Sequence, residues 1–177
     1  MQDSRWIHDP DQLEAYLRQR EASDEAEYAE PSLVRLAVCR IGEQLYAMPA
    51  DGLKQVCKVE SVAYVPGCPS VIAGLIQVGG EILGAVDLAK LLSVEGASDC
   101  RKGYAMIYEF GSERIGLLVS AIKEVVEVPV DDICEQDFDQ HFAYAVSEIQ
   151  YFDNKIPYID LQRALSSLLD LDEEMPV

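Results

Sequence analysis

The chain has 177 residues, of which 49% are hydrophobic, and its formal net charge at pH 7 is −18. This apolar fraction is sufficient for a buried core, so the composition excludes a disordered acidic chain. Because nucleic acids and anionic membranes repel a protein this acidic, the charge favours basic protein partners. No apolar run is long enough to cross a bilayer and no secretory signal pattern is present, so we expect a cytoplasmic protein.

The acidic residues are concentrated in three places. Residues 1–31 carry nine acids and three bases, and residues 170–177 carry four acids and no base. Between them, the stretch 124–139 has no Lys or Arg and contains Glu124, Glu127, Asp131, Asp132, Glu135, Asp137 and Asp139. This stretch is either a solvated loop or a contact face for a basic partner, and the sequence does not separate the two.

The N-terminal segment has the features of a short helix. Asp9 is a candidate cap, Pro10 fits the first helical position, and apolar residues follow at helical spacing. The polar run that ends at Pro31 is typical of a linker. We therefore predict a helical or flexible extension over residues 1–32, a folded body over 33–169 and an acidic tail over 170–177.

From Leu33 onward the chain consists of short apolar runs separated by Gly and Pro. Their lengths and their content of Val, Ile and Tyr predict strands within 33–41, 44–49, 62–66, 74–78, 81–88, 104–110, 114–119, 124–130, 146–152 and 155–161. Hairpin turns are predicted at Gly42-Glu43, Gly79-Gly80, Gly111-Ser112 and Asp153-Asn154. Brief helices are expected at 69–73, after Asp87, and from 161 to about 169. The pattern is typical of an all-β barrel or sandwich.

An internal repeat organises these strands. Gly42, Ala47, Leu53, Lys54 and Val56 recur as Gly111, Gly116, Ile122, Lys123 and Val125 at an offset of 69, and residues 83–88 recur as 156–161 at an offset of 73. The repeat predicts two related lobes. Each lobe closes with a strand whose last residue, Asp87 or Asp160, is placed to cap a helix, so we interpret both carboxylates as structural.

Groups that could carry catalysis are few. The five cysteines Cys39, Cys57, Cys68, Cys100 and Cys134 are odd in number and widely spaced, which predicts small, mostly buried thiols and no disulfide framework or zinc site. Of the two histidines, His8 lies in the extension, and His141 could bind a metal only with Asp137 and Asp139, a weak pattern. With no phosphate-binding motif either, we expect a non-enzymatic binding module without a cofactor.

The order of several segments resembles the CheW-like coupling proteins of bacterial chemosensory systems. The resemblance covers residues 33–169 and rests on LAVCRIGEQLYAMPADGLKQV, YVPGCPSVIAGLIQVGGEILGAVDL, GSERIGLLVSAIKEVVEV and KIPYIDLQRAL. It implies two intertwined SH3-like five-stranded β-barrels, no enzymatic activity, and a scaffold that joins the cytoplasmic tips of methyl-accepting receptors to the regulatory domain of a CheA-type histidine kinase.

The resemblance also implies two sets of partner-binding residues. The receptor side would include Leu53, Lys54, Gln55, Gly74, Gly79 and Gly80. The kinase side would include Tyr104, Ala105, Gly116 and Ile122. Apolar side chains would be the anchors, unless Leu53 and Ile122 simply fill the two cores.

Several positions depart from the family pattern. The family typically has N-L-R-G where this chain has Gln77-Val78-Gly79-Gly80, so the arginine is absent at Gly79. Gly84 replaces a proline, Gln55 replaces an acid, and Ser120 replaces a common Asp. These departures indicate a variant pathway, such as pilus-based or surface motility, in which one standard partner is bound and not the other. The alternative function is a ligand- or metal-sensing regulatory domain, or a small enzyme, that uses the cleft between the lobes or the acidic loop 131–141.

Overall fold

The computed structural model describes residues 32–95, 102–135 and 144–172. The strands are β1 Leu33–Ile41, β2 Gln44–Pro49, β3 Leu53–Lys58, β4 Ile72–Val78, β5 Glu81–Asp87, β6 Tyr104–Phe110, β7 Glu113–Val119, β8 Ala121–Pro129, β9 Cys134–Glu135, β10 Ala145–Tyr151 and β11 Asn154–Ile159. The helices are α1 Leu88–Leu91 and α2 Leu161–Asp172, with a 3-10 turn at Val130–Asp132. The mainly-β prediction is confirmed.

The strands form two sheets, each of which takes strands from both halves of the chain. The five-stranded sheet has the order β3-β6-β7-β5-β4, and the six-stranded sheet has the order β8-β1-β2-β11-β10-β9. We call them the five-stranded lobe and the six-stranded lobe. The predicted pair of intertwined lobes is confirmed, and the short strand β9 extends one of them to six strands.

Two parallel strand pairs join the halves of the chain. In the five-stranded lobe Ala85 of β5 is opposite Gly116 of β7, and in the six-stranded lobe Tyr158 of β11 is opposite Ala47 of β2. The repeat offsets relate Ala47 to Gly116 and Ala85 to Tyr158, so the two pairs are equivalent. The closing strand of each half is therefore paired with the hairpin of the other half, and this exchange makes the lobes intertwined.

The core extends through both lobes because β1 is buried on both faces. Leu36 and Val38 pack with Ala47, Ile149 and Ile156 inside the six-stranded lobe. The intervening side chains of β1 belong to the larger cluster that fills the five-stranded lobe and supports α2. A strand in this position needs a continuous apolar run, which is what the sequence AVC within β1 supplies.

The predicted aspartate caps are confirmed. The Asp87 carboxylate accepts hydrogen bonds from the backbone N–H groups of Ala89 and Lys90, at 3.1 and 3.4 Å. The Asp160 carboxylate accepts one from the N–H of Arg163 at 2.9 Å, at the start of α2. Both groups satisfy helix N–H donors that would otherwise lack partners.

Three local predictions are wrong. Residues 69–73 form a single turn, with Ile72 N–H donating to Pro69 O, and then enter β4 because Ile72 pairs with Val86. The run 62–66 makes only an isolated bridge between Ala63 and Leu75. The sequence does not predict strand β3, because the run LKQVCK lacks an alternation of apolar and polar residues. Its side chains are mostly exposed.

The turns and cysteines follow the sequence only in part. The last hairpin turn is at Phe152-Asp153, one residue earlier than predicted, while the other three turns are as predicted. Cys39 is buried, Cys57 is half-buried and Cys68 is exposed. The prediction of mostly buried thiols therefore does not hold for Cys68, which lies in the loop before β4. Neither helix in the described part of the chain has the length and apolar character needed to span a membrane.

Gly74 can be tested as a backbone requirement of β4. Its φ is +138°, and a Cβ there would collide with the carbonyl group of Ala63 across the bridge. We expect Gly74→Ala to lower the free energy of unfolding by about 2 kcal/mol or more. Gly84→Ala is the matched control, because Gly84 is also in this sheet, has no positive φ and has open space around it. Chemical denaturation measures both, and equal stability of the two variants would contradict the assignment.

Candidate partner-binding surface

Strand β3 carries three of the predicted receptor-side residues at the edge of the five-stranded lobe. Leu53 is half-buried and packs against the core, so it is partly a core residue. Lys54 is exposed, and its Nζ lies 2.9 Å from Glu109 Oε2 on the neighbouring strand β6. This hydrogen bond and the charge of Lys54 lower the pKa of the Glu109 carboxyl below its ordinary value. Gln55 is exposed beside this ion pair.

An open pocket of about 290 Å³ lies where the two outer strands of the five-stranded lobe, β3 and β4, approach each other. We call this the open seam. Its lining residues are Gln55, Cys57, Lys58, Val59, Glu60, Ser61, Ile76, Gln77, Val78 and Gly79. The structure therefore brings Gln55 and Gly79 to one site although they are far apart in sequence. Burial raises the pKa of the Cys57 thiol, so this group is no activated nucleophile.

The glycines of the receptor-side set have different roles. Gly79 and Gly80 form the exposed turn between β4 and β5, with φ of 60° and 91° and open space around both. Gly74 is buried and is required where β4 touches Ala63. Gly74 can thus shape the surface, whereas Gly79 and Gly80 lie on it.

The predicted kinase-side residues do not form one exposed patch. Tyr104 is 39% exposed at the start of β6, whereas Ala105 is fully buried. Gly116 is buried in β7, and a Cβ there would lie 2.6 Å from Ile76 Cδ1. Ile122 is half-buried in β8, on the other lobe. Because Ala105 and Gly116 are buried, they can affect a partner only by supporting the residues packed around them. The assignment of these four residues to the kinase side stays a prediction.

Exposed apolar residues on β3, β4 and β5 are not among the residues that the sequence predicts. Val56 of β3 is 43% exposed, Leu75 of β4 is 39% exposed, and Ile82 of β5 is 71% exposed. Tyr64, in the loop beside Leu75, is exposed as well. The signal in the sequence is an apolar residue at a strand position that faces outward. It can be recognised only when the strand register is known, because the register decides which side chains face outward. Exposed apolar side chains on the outer strands of a sheet are typical of a protein-binding surface.

The structure gives the surroundings of two of the sequence departures. Ser120 Oγ accepts a hydrogen bond from the Gly42 N–H at 3.1 Å and so supports the turn between β1 and β2. Gly84 is exposed in β5 opposite Leu75, where a larger residue would fit. Neither replacement removes a group on which the fold depends.

The described residues give little support to the alternative function, a ligand- or metal-sensing site. Among residues 32–95, 102–135 and 144–172, no three His, Cys, Asp or Glu side chains form a group that could hold a metal. Asp137, Asp139 and His141 lie outside the described residues. A cavity of about 350 Å³ between the lobes is lined by Pro49, Asp51, Tyr108, Glu109, Phe110, Gly111, Leu161, Gln162 and Leu165. Burial raises the pKa of Tyr108, whose hydroxyl donates to Pro49 O at 2.7 Å. This phenol is therefore a structural donor.

Comparisons with known proteins agree with the fold. The Chemotaxis protein CheW of Treponema pallidum is 25% identical over 103 residues, which cover 56% of this chain and 61% of that protein. The matched region is thus less than two thirds of that relative. The Chemotaxis protein CheW of Rhizobium meliloti is 25% identical over 121 residues, covering 65% of this chain and 77% of that protein.

A solved structure and a family model cover more of the chain. The scaffolding protein TtCheW from Thermoanaerobacter tengcongensis superimposes with a TM-score of 0.66 at 23% identity, over 77% of this chain and 90% of that one. This likeness concerns the fold. The model of the CheW-like domain matches residues 35–168, which include all but the ends of the two described sheets and α2. The chain therefore belongs to the family of CheW-like domains.

Proposed function

We propose that this chain is a non-enzymatic adaptor of a bacterial chemosensory system. It links the cytoplasmic tips of methyl-accepting receptors to the regulatory domain of a CheA-type histidine kinase, which places it in the cytoplasm. The family match over residues 35–168 supports this role. The observation that carries it is the open seam, where Gln55 of β3 and Gly79 of the β4–β5 turn line one pocket.

The geometry also explains why two departures occur together. The family resemblance implies an acid at position 55 and an arginine at position 79, and these positions line the same pocket. The two groups would form a charge pair across the seam, and loss of only one would leave the other uncompensated. This chain has Gln55 and Gly79, so both charges are absent. We infer a variant pathway whose receptor does not need this pair.

The proposal is tested by titrating the full chain with a receptor cytoplasmic fragment and with a CheA regulatory domain. We expect saturable binding to at least one of them, measured by calorimetry. Binding to neither fragment would contradict the adaptor role. Thermal stabilisation by a small molecule or metal, in the absence of binding to either fragment, would favour the ligand-sensing alternative.

The receptor surface is tested at Val56. An Asp at Leu53 would disturb the core as well as the surface, because Leu53 packs against the core. Val56 is exposed on the same strand, so we expect Val56→Asp to weaken receptor binding at least tenfold, about 1.4 kcal/mol, with little change in unfolding free energy. Val125→Asp is the matched control, since Val125 is the equivalent residue of β8 and is also exposed. Equal effects of both substitutions on receptor binding would refute this surface.

The missing charge pair is tested by restoring it. We expect Gln55→Glu with Gly79→Arg to raise the affinity for a conventional receptor fragment about tenfold. Gly79 has open space for a side chain, although its φ of 60° makes Arg there somewhat strained. Gln55→Glu with Gly80→Arg is the control, because Gly80 is in the same turn but does not line the pocket. If the two double variants change the affinity for the receptor fragment equally, the charge pair in the open seam does not determine receptor binding.

A further inference from the structure

The hairpin between β10 and β11 presents an aromatic side chain at a strained backbone position. Phe152 has φ of 50° and is 77% exposed. The repeat relates it to Gly79, whose φ is 60°. The turn geometry thus demands a left-handed residue in both hairpins, and glycine meets that demand at least cost. A bulky exposed residue in this conformation indicates a role other than folding.

Three interactions hold this aromatic tip in place. Gln150 Nε2 donates to the backbone oxygen of Phe152 at 2.6 Å. The Tyr151 and Phe152 rings meet edge to face with centroids 4.7 Å apart. The Tyr151 hydroxyl donates to Glu124 Oε1 on β8 at 2.5 Å and so ties the hairpin to the outer strand. An anchor that is ordered before binding loses little conformational entropy when it binds.

Acidic side chains lie on β8, the strand that Tyr151 contacts, and in the turn that follows it. Glu124 and Glu127 are exposed on β8, and Asp131 and Asp132 follow in the 3-10 turn. The repeat relates these four residues to Gln55, Lys58, Val62 and Ala63 beside the open seam. None of these equivalents is acidic, so the four acids have no counterpart at the same positions of the five-stranded lobe. The bases near these four acids are Lys123 of β8, Lys155 of the hairpin and the exposed Arg35, which lies opposite Glu127 on β1, so the acids still outnumber them.

We propose that Phe152 is the anchor of a second partner surface, which binds an apolar socket bordered by Lys or Arg on the kinase regulatory domain. This inference rests on the proposed adaptor function. Continuity favours the kinase over the receptor: Ile122, which the family resemblance assigns to the kinase side, lies two residues from Glu124 on β8. All six receptor-side residues lie on the five-stranded lobe, as do the kinase-side residues Tyr104, Ala105 and Gly116, so Ile122 is the one predicted partner residue on the lobe that carries Phe152.

The experiment compares the full-length wild-type chain with Phe152→Gly. We expect the variant to bind a CheA regulatory-domain fragment at least tenfold more weakly, while its Tm is unchanged or higher because Gly relieves the positive-φ strain. Leu33→Ala is the control, since Leu33 is an exposed apolar residue of the same lobe to which no partner role is assigned. Kinase binding by this control should remain at the wild-type level, and wild-type affinity should fall as salt is raised.

Each other result has a definite meaning. Wild-type affinity for the kinase fragment in Phe152→Gly would overturn the inference, and so would a weaker affinity accompanied by a lower Tm, which would make Phe152 a folding residue. Weakened binding of a receptor fragment, with kinase binding intact, would overturn the choice of partner. If the wild-type chain bound neither fragment, the adaptor function itself would fail.

Discussion

The exchange of closing strands between the two halves is the constraint on which the rest of the structure depends. Strand β5 pairs in parallel with β7, and β11 pairs in parallel with β2, so neither sheet is complete without both halves of the chain. Burial of β1 on both faces then joins the two interiors. Because these contacts are distant in sequence, folding must close long loops before it gains much burial, and we expect a slow, cooperative transition.

The same exchange produces two equivalent surfaces with different chemistry. Strands β3 and β8 are each at the outside of a sheet, and each faces the hairpin of a closing strand. In the five-stranded lobe this seam is open and is lined by Gln55 and Lys58. In the six-stranded lobe Tyr151 reaches across to Glu124. One backbone arrangement thus offers a pocket on one lobe and a rigid aromatic tip on the other.

The fold was largely predictable from local signals. Alternating apolar runs, glycine turns and capping aspartates are determined by neighbours in sequence, and these predictions are mostly confirmed. Strand β3 was missed because its exposure pattern gives no alternation, and residues 69–73 were wrongly predicted as a helix because pairing of Ile72 with Val86 overrode local preference. The candidate site depended on register and on strand exchange, which no local pattern encodes, so the meeting of Gln55 and Gly79 could not be predicted from spacing.

The open seam has a mechanical consequence. Strands β3 and β4 are the two ends of their sheet and are not hydrogen-bonded to each other. A partner that binds in the seam and contacts both strands would bridge the two edges of the sheet and close the barrel, which is open between β3 and β4. Binding would then reduce local opening of the outer strands β3 and β4. The bound lobe would be more rigid than the free lobe, with the same strand pairing.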